Sequence, residues 1–176
     1  MPVLQSPADP AQAAIELDAS EWVGHEAPLA SLRGRVVLVE AFQMLCRGCV
    51  SNGIPQVQRV RQTLPDVAVV GLHSVFEHHE AQGPQSLRAF LYEYRIGFPV
   101  AIDRNDGESI PVTMRAYGLQ GTPSTLLFDR AGQLRLHAFG TVSDIALGAY
   151  LGVLLSEHGP EQAVEAPTET TGRLSR

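Results

Sequence analysis

Apolar and polar positions along the chain alternate in the way of a sheet flanked by helices. Val36 to Val39 is a continuous apolar run, mostly β-branched, of the kind that forms a strand buried on both faces. Val50, Ile54, Val57 and Leu64 recur at i, i+4, i+7 and i+14, which predicts an amphipathic helix ending near Leu64-Pro65-Asp66. Val67 to Leu72 reads as a second buried strand. Leu87, Phe90, Leu91 and Tyr94 mark a further helix at i, i+3, i+4 and i+7, and Phe98 to Ile102 a short strand closed by the turn cluster Asp103-Arg104-Asn105-Asp106-Gly107. Pro111 to Tyr117 reads as a short helix. Ser124 to Phe128 and Leu134 to Phe139, joined across Asp129-Arg130-Ala131-Gly132, form a predicted β-hairpin. Ser143 is placed to cap a last helix with Leu147, Tyr150, Leu151 and Leu154 inward.

Residues 1–20, rich in Pro, Ala and Gln, read as a flexible lead-in, and residues 21–156 as the folded domain. Residues 157–176, dominated by Pro, Glu and Thr, read as a disordered acidic tail. Trp22, the single tryptophan, is expected to pack rather than to face a substrate. His73 to Pro84 is a polar interruption that follows a strand, at the end where open α/β sheets carry their sites. Three histidines and two glutamates fall between His73 and Glu80. The stretch is expected to be a solvated loop, with His73 the residue best placed to act.

At 176 residues, 44% hydrophobic and 18% charged, the chain can bury a full single-domain core. All 13 basic residues are arginine, and the net charge of -6 comes from the two ends, leaving residues 22–156 neutral. Without a basic patch or arginine stripe, nucleic acid is excluded as an expected partner. No run approaches the roughly 18 apolar residues of a membrane helix, and the first twenty residues lack the charged and apolar regions of a secretion signal. The expectation is therefore a cytoplasmic protein, without membrane contact, acting as a monomer or weak dimer.

Chemistry enters at Cys46 and Cys49, the only cysteines, spaced C-x-x-C between the first strand and the first helix. A cysteine at a helix start faces unpaired N–H groups and the positive end of the macrodipole, which favour its thiolate. Cys46 has that position, with Arg47 beside it, and Cys49 lies about one turn on. Cys46 would attack a disulfide and Cys49 would resolve the mixed disulfide. Zinc asks for about four ligands, and no second C-x-x-C or H-x-x-x-H completes such a set, so no metal is assigned. A purely structural bridge over so short a loop would gain little from closure. Glu40 is a carboxylate inside an apolar strand, where burial is costly without a role or partner. It could accept a proton from Cys49, or it could reach an edge or an arginine; alternation leaves both open.

The segment from about residue 22 to 155 resembles the thioredoxin superfamily, and within it the TlpA-like and ResA-like thiol–disulfide oxidoreductases. Four features carry the likeness: the strand opening at Gly34-Arg35-Val36, the dithiol Cys46-Arg47-Gly48-Cys49, the acidic Glu40, and Gly121-Thr122-Pro123 leading into Ser124 to Asp129. The resemblance implies a three-layer α/β sandwich, with a mixed central sheet flanked by helices and a helix-containing insertion of the TlpA and peroxiredoxin type. It also implies a cis Thr122-Pro123 bond in a loop facing the dithiol, where a bare sequence reading would allow a trans proline opening a strand. Cys46, Cys49 and Glu40 are then the expected catalytic residues, and Thr122, Pro123, Leu45 and Arg47 the expected substrate-binding ones. No dissociable cofactor is required, and the expected partners are protein disulfides or dithiols and an upstream thiol reductant.

Three departures bear on potential and partner choice. Leu45 stands where the family usually has tryptophan, Arg47-Gly48 replaces Gly-Pro, and Pro55 lies six rather than five residues past Cys49. With Gly53, this last shift predicts an extra residue or bulge in the helix. Two other classes compete with the enzyme. One is a redox-sensing or metal-binding module using the cysteines with His73 or His78. The other is a peroxiredoxin, whose Pro-x-x-x-Thr-x-x-Cys context is missing because Gln43 stands three before Cys46.

Overall fold

The computed structural model describes Val3 and residues 12–157. Seven strands form one sheet: β1 (Gln12–Ala13), β2 (Ala19–Val23), β3 (Val36–Phe42), β4 (Val67–His73), β5 (Val100–Asp103), β6 (Ser124–Phe128) and β7 (Gln133–Phe139). Their spatial order is β1-β7-β6-β3-β4-β5-β2. The sheet is mixed. β3, β4 and β5 run parallel, and β6, β7, β2 and β1 are joined antiparallel.

The strands and helices follow the apolar pattern closely. All seven residues of β3 and of β4 are buried, as continuous hydrophobic runs in a covered sheet require. One face of β3 sends Val36, Leu38 and Phe42 into a core shared with α1 (Ile54–Thr63), α2 (Pro84–Glu93) and α4 (Asp144–Ser156). The other sends Val37, Val39 and Ala41 against Met114 of α3 (Val112–Ala116), with Leu29 and Leu17. This is the three-layer sandwich, and α2 lies in the insertion between β4 and β5. Trp22 is partly buried against the second cluster, a packing residue as expected. Ser143 caps α4 by accepting from the Ala146 N–H. The first helix opens with a π-helical turn, Cys49–Gly53, so the bulge predicted from Gly53 and Pro55 is present.

One expectation is corrected, at the N-terminal edge. The stretch assigned to a flexible lead-in contributes β1, β2 and the buried Leu17. Its order comes from tertiary contacts that local composition cannot reveal. The Glu16 carboxylate accepts the N–H groups of Leu17, Leu29 and Ala30 at 3.0, 2.7 and 3.0 Å, and the Thr113 hydroxyl accepts the Asp18 N–H at 2.9 Å. At the other end Glu157 is tied to Arg135, a buried arginine of β7 that also pairs with Asp129. Residues 1–11 other than Val3, and the tail from residue 158 on, lie outside the described residues.

Candidate active site

β3 delivers the chain to the top of the sheet, and a turn at Met44-Leu45 carries it into the helical run that opens at Arg47. Cys46 and Cys49 are joined as a disulfide, their Cα atoms 5.2 Å apart. The Cys49 N–H donates to Cys46 Sγ at 3.2 Å, the kind of helix-start contact that stabilises a thiolate when the pair is reduced. The two sulfurs differ in access. Cys46 is half-buried, while Cys49 is 0% exposed. An attacking disulfide or thiol can reach Cys46 alone.

The second wall is the loop before β6. The Thr122-Pro123 bond is cis, as the resemblance implied. The Thr122 carbonyl oxygen lies 3.4 Å from Cys46 Sγ, and Pro123 is buried against the dipeptide between the cysteines. A Cβ on Gly48 would stand 3.2 Å from Pro123 Cδ, so glycine at this position lets the loop close on the dithiol. Leu45, 59% exposed, and the exposed Arg47 flank Cys46 at the surface.

Glu40 sits beneath this assembly, 1% exposed, on the face of β3 covered by the first helix. The Thr125 hydroxyl donates to its Oε2 at 2.9 Å. A Cβ on Gly53 would fall 2.2 Å from Glu40 Oε1 and 3.3 Å from Pro123 Cβ. The carboxyl thus occupies the space a side chain at 53 would need, under the π turn that begins at Cys49. Burial raises its pKa from 4.5 to about 8, against a weaker opposite pull from the Thr125 hydrogen bond. Among the described residues no arginine pairs with Glu40, and β3 lies between β4 and β6 rather than at an edge.

Gln43 and Gln82, neither singled out as a site residue from sequence, are both buried at the site. Gln82 Oε1 accepts the Leu45 N–H at 3.2 Å, and its Nε2 donates to Gln43 Oε1 at 3.1 Å and to the Glu77 carbonyl at 2.9 Å. Gln43 Oε1 also accepts the Phe76 N–H at 3.3 Å, while its Nε2 reaches Glu77 Oε1 and Thr122 Oγ1, each at 3.5 Å. The segment from Phe76 to Gln82 is therefore partly wired into the core and is not simply a solvated loop. The signal that could have found it is a glutamine directly after a fully buried strand.

His73 is enclosed rather than displayed, 1% exposed, its ring centroid 5.3 Å from that of Phe42. Among the described residues, neither ring nitrogen has a partner within hydrogen-bonding distance. Burial lowers its pKa to about 4, the neighbouring Gln82 amide opposing weakly, so the ring is neutral at pH 7. His78 and His79 are exposed on the loop. Among the described residues, no group of three or more His, Cys, Asp and Glu side chains gathers to hold a metal.

An accessible and a buried cysteine at a helix start, closed over by a cis-proline loop above a neutral buried acid, belong to one class of protein. The chain belongs to the thioredoxin-like superfamily. It is 54% identical to SPOA0173, a thioredoxin-like superfamily protein of known crystal structure, with a TM-score of 0.82 over 85% of this chain and 100% of that one. It is 51% identical to a thiol-disulfide isomerase from Corynebacterium glutamicum, with a TM-score of 0.81 over 85% of this chain and 99% of the other. Protein DipZ of Mycobacterium bovis is 28% identical over 145 residues, which make up 81% of this chain but 20% of DipZ. The chain thus spans about a fifth of the length of the curated relatives it matches. No family model matches it. Among the described residues, no helix is long and apolar enough to cross a membrane.

Proposed function

We propose that the protein exchanges electrons with protein or small-molecule disulfides through Cys46 and Cys49. The observation that carries this reading is the asymmetry of the pair, Cys46 half-buried against the Thr122 carbonyl and Cys49 sealed beneath it. In the reducing direction the Cys46 thiolate attacks one sulfur of a substrate disulfide, and the substrate S–S bond breaks. One substrate thiolate leaves, and a mixed disulfide remains on Cys46. Cys49 loses its proton to ionised Glu40 and attacks Cys46 Sγ, expelling the second substrate thiolate. The substrate gains two electrons, and the protein is left with the Cys46–Cys49 disulfide. An upstream thiol reverses the steps, and neutral Glu40 then returns a proton to Cys49 as its sulfur is released. With a pKa of about 8, Glu40 changes charge within reach of neutral pH in either direction. Thr122 and Pro123 would hold the backbone of an extended substrate, with Leu45 and Arg47 at its flanks. Electrons pass from sulfur to sulfur, so no dissociable cofactor enters the cycle.

The test is the equilibrium of the pair against graded glutathione buffers, read by thiol alkylation and mass. A cytoplasmic reductant should show a potential near that of thioredoxin, about -270 mV. A value near -120 mV would assign the opposite direction and a compartment more oxidising than the cytoplasm. Failure to form the disulfide at any poise would overturn exchange itself.

A further inference from the structure

We infer that Gln82 is a positioning residue for the dithiol, acting through the Leu45 backbone and through Gln43. The proposal deepens the exchange reading and rests on it. Its basis is one continuous set of hydrogen bonds, buried between Gln82 and Gln43 and partly buried elsewhere, that joins three separate chain segments at the reacting sulfur. Gln82 Oε1 holds the N–H of Leu45, the residue before Cys46, at 3.2 Å. Its Nε2 holds Gln43 Oε1, and Gln43 Nε2 faces Thr122 Oγ1 at 3.5 Å. The Thr122 carbonyl in turn stands 3.4 Å from Cys46 Sγ. The dithiol turn and the proline loop are therefore both referenced to one side chain on the segment before α2.

The amide bookkeeping supports the assignment. Gln82 is 3% exposed and uses both its donors and its acceptor, on Gln43, the Glu77 carbonyl and the Leu45 N–H. An aliphatic side chain of similar size would leave those three groups without their present partner in a site with little water, at a cost that favours local rearrangement of the turn. That turn sets where Cys46 Sγ stands relative to the helix start, which stabilises its thiolate, and to the Thr122 carbonyl, where a substrate strand docks. Thiolate stabilisation and productive geometry should therefore fall together when Gln82 is lost.

The experiment compares wild type with Gln82→Leu, Gln82→Glu and Gln85→Leu. Gln85 is exposed on α2, three residues away, and serves as a control of the same chemistry. Two readouts are taken on the reduced protein: the Cys46 thiolate titration by absorbance near 240 nm, and kcat/KM for reduction of a model disulfide and of insulin. Gln82→Leu should move the thiolate midpoint upward, toward the free-thiol value of about 8.5, and lower kcat/KM by roughly 10- to 100-fold. Gln82→Glu, as a neutral acid, keeps an acceptor for Leu45 and one donor, and should recover most of both losses. Gln85→Leu should match wild type. A Gln82→Leu protein with wild-type titration and rate overturns the proposal, and so does a rate loss with no shift in the thiolate titration. If Gln82→Leu does not fold, a Gln82→Glu protein no better than a Gln82→Ala one overturns it. Absence of disulfide reduction by wild type itself would instead overturn the exchange reading.

Discussion

Replacing Glu40 by glutamine should change how stability depends on pH more than it changes stability at any one pH. Burial moves the Glu40 pKa from 4.5 to about 8, so the folded protein keeps a proton that the unfolded chain releases above pH 4.5. Protons bound more tightly by the folded state make its stability fall as pH rises, and the fall runs from about pH 4.5 to about pH 8. At about 1.4 kcal/mol per pKa unit, three and a half units amount to roughly 5 kcal/mol. Glu40→Gln keeps the shape and the capacity to accept from Thr125 but has no proton to lose. The difference in unfolding free energy between variant and wild type should therefore swing by about 4 kcal/mol of that total in favour of the variant between pH 4.5 and 8.5. Urea unfolding of the disulfide forms at half-unit pH steps measures it. Asp103, also buried and with a raised pKa, contributes the same slope to both proteins and cancels. A swing below about 1 kcal/mol would mean that Glu40 is not held neutral by burial, and the proton-transfer role would fall with it.

Gly53→Ala sets a Cβ 2.2 Å from Glu40 Oε1 and should destabilise by about 1–3 kcal/mol. The double variant with Glu40→Ala should recover most of that loss, and chemical denaturation of the four proteins gives the coupling directly. His73 loses stability on the acid side: its folded pKa of about 4 lies below the ordinary 6.5, so stability present above pH 6.5 is lost as pH falls toward 4. His73→Phe should remove about 2 kcal/mol of acid loss between pH 7 and 4.5, checked by comparing melting at those two values. Arg135→Met leaves Asp129 and Glu157 without their shared cation and should cost roughly 3 kcal/mol, the low end for a broken buried pair because Glu157 keeps some contact with water. The disulfide form in urea would show it, and Arg135→Lys should rescue only part, since the bidentate fork is lost.

What could be read from the chain was what depends on local pattern. The buried strands around Val36 and Val67 announced themselves as apolar runs, and the dithiol as a spacing. Even the π turn was visible as a proline one place late beside Gly53. The residues that escaped notice act over long sequence separations. Gln43 and Gln82 are 39 residues apart, and each alone is an ordinary polar residue. Arg135 sits in a strand pattern where an arginine suggests solvent, yet Asp129 and Glu157 make burial possible. Residues 12–20 looked like a lead-in because β1 and β2 lack apolar periodicity and are ordered by partners far along the chain, β2 by residues 100–103 and β1 by residues 133–134. His73 was the best guess for a reactive histidine from its place after a strand. Its apolar surroundings make it a neutral packing group instead.

The strap formed by β1 and β2 has a consequence for how the molecule is made. It supplies both edge strands of the sheet, β1 pairing with Gln133 and Leu134 of β7 on one side and β2 pairing along β5, from Ala19 opposite Asp103, on the other. On the ribosome these residues emerge ahead of the rest of the domain, yet β2 must wait for residues 100–103 and β1 for residues 133–134. The nascent chain can assemble β3, β4 and the dithiol helix while β3 still lacks β6 and β4 still lacks β5. Pairings of such long reach form slowly, so the interval before the strap locks is when the growing chain is most exposed to joining its neighbours edge to edge.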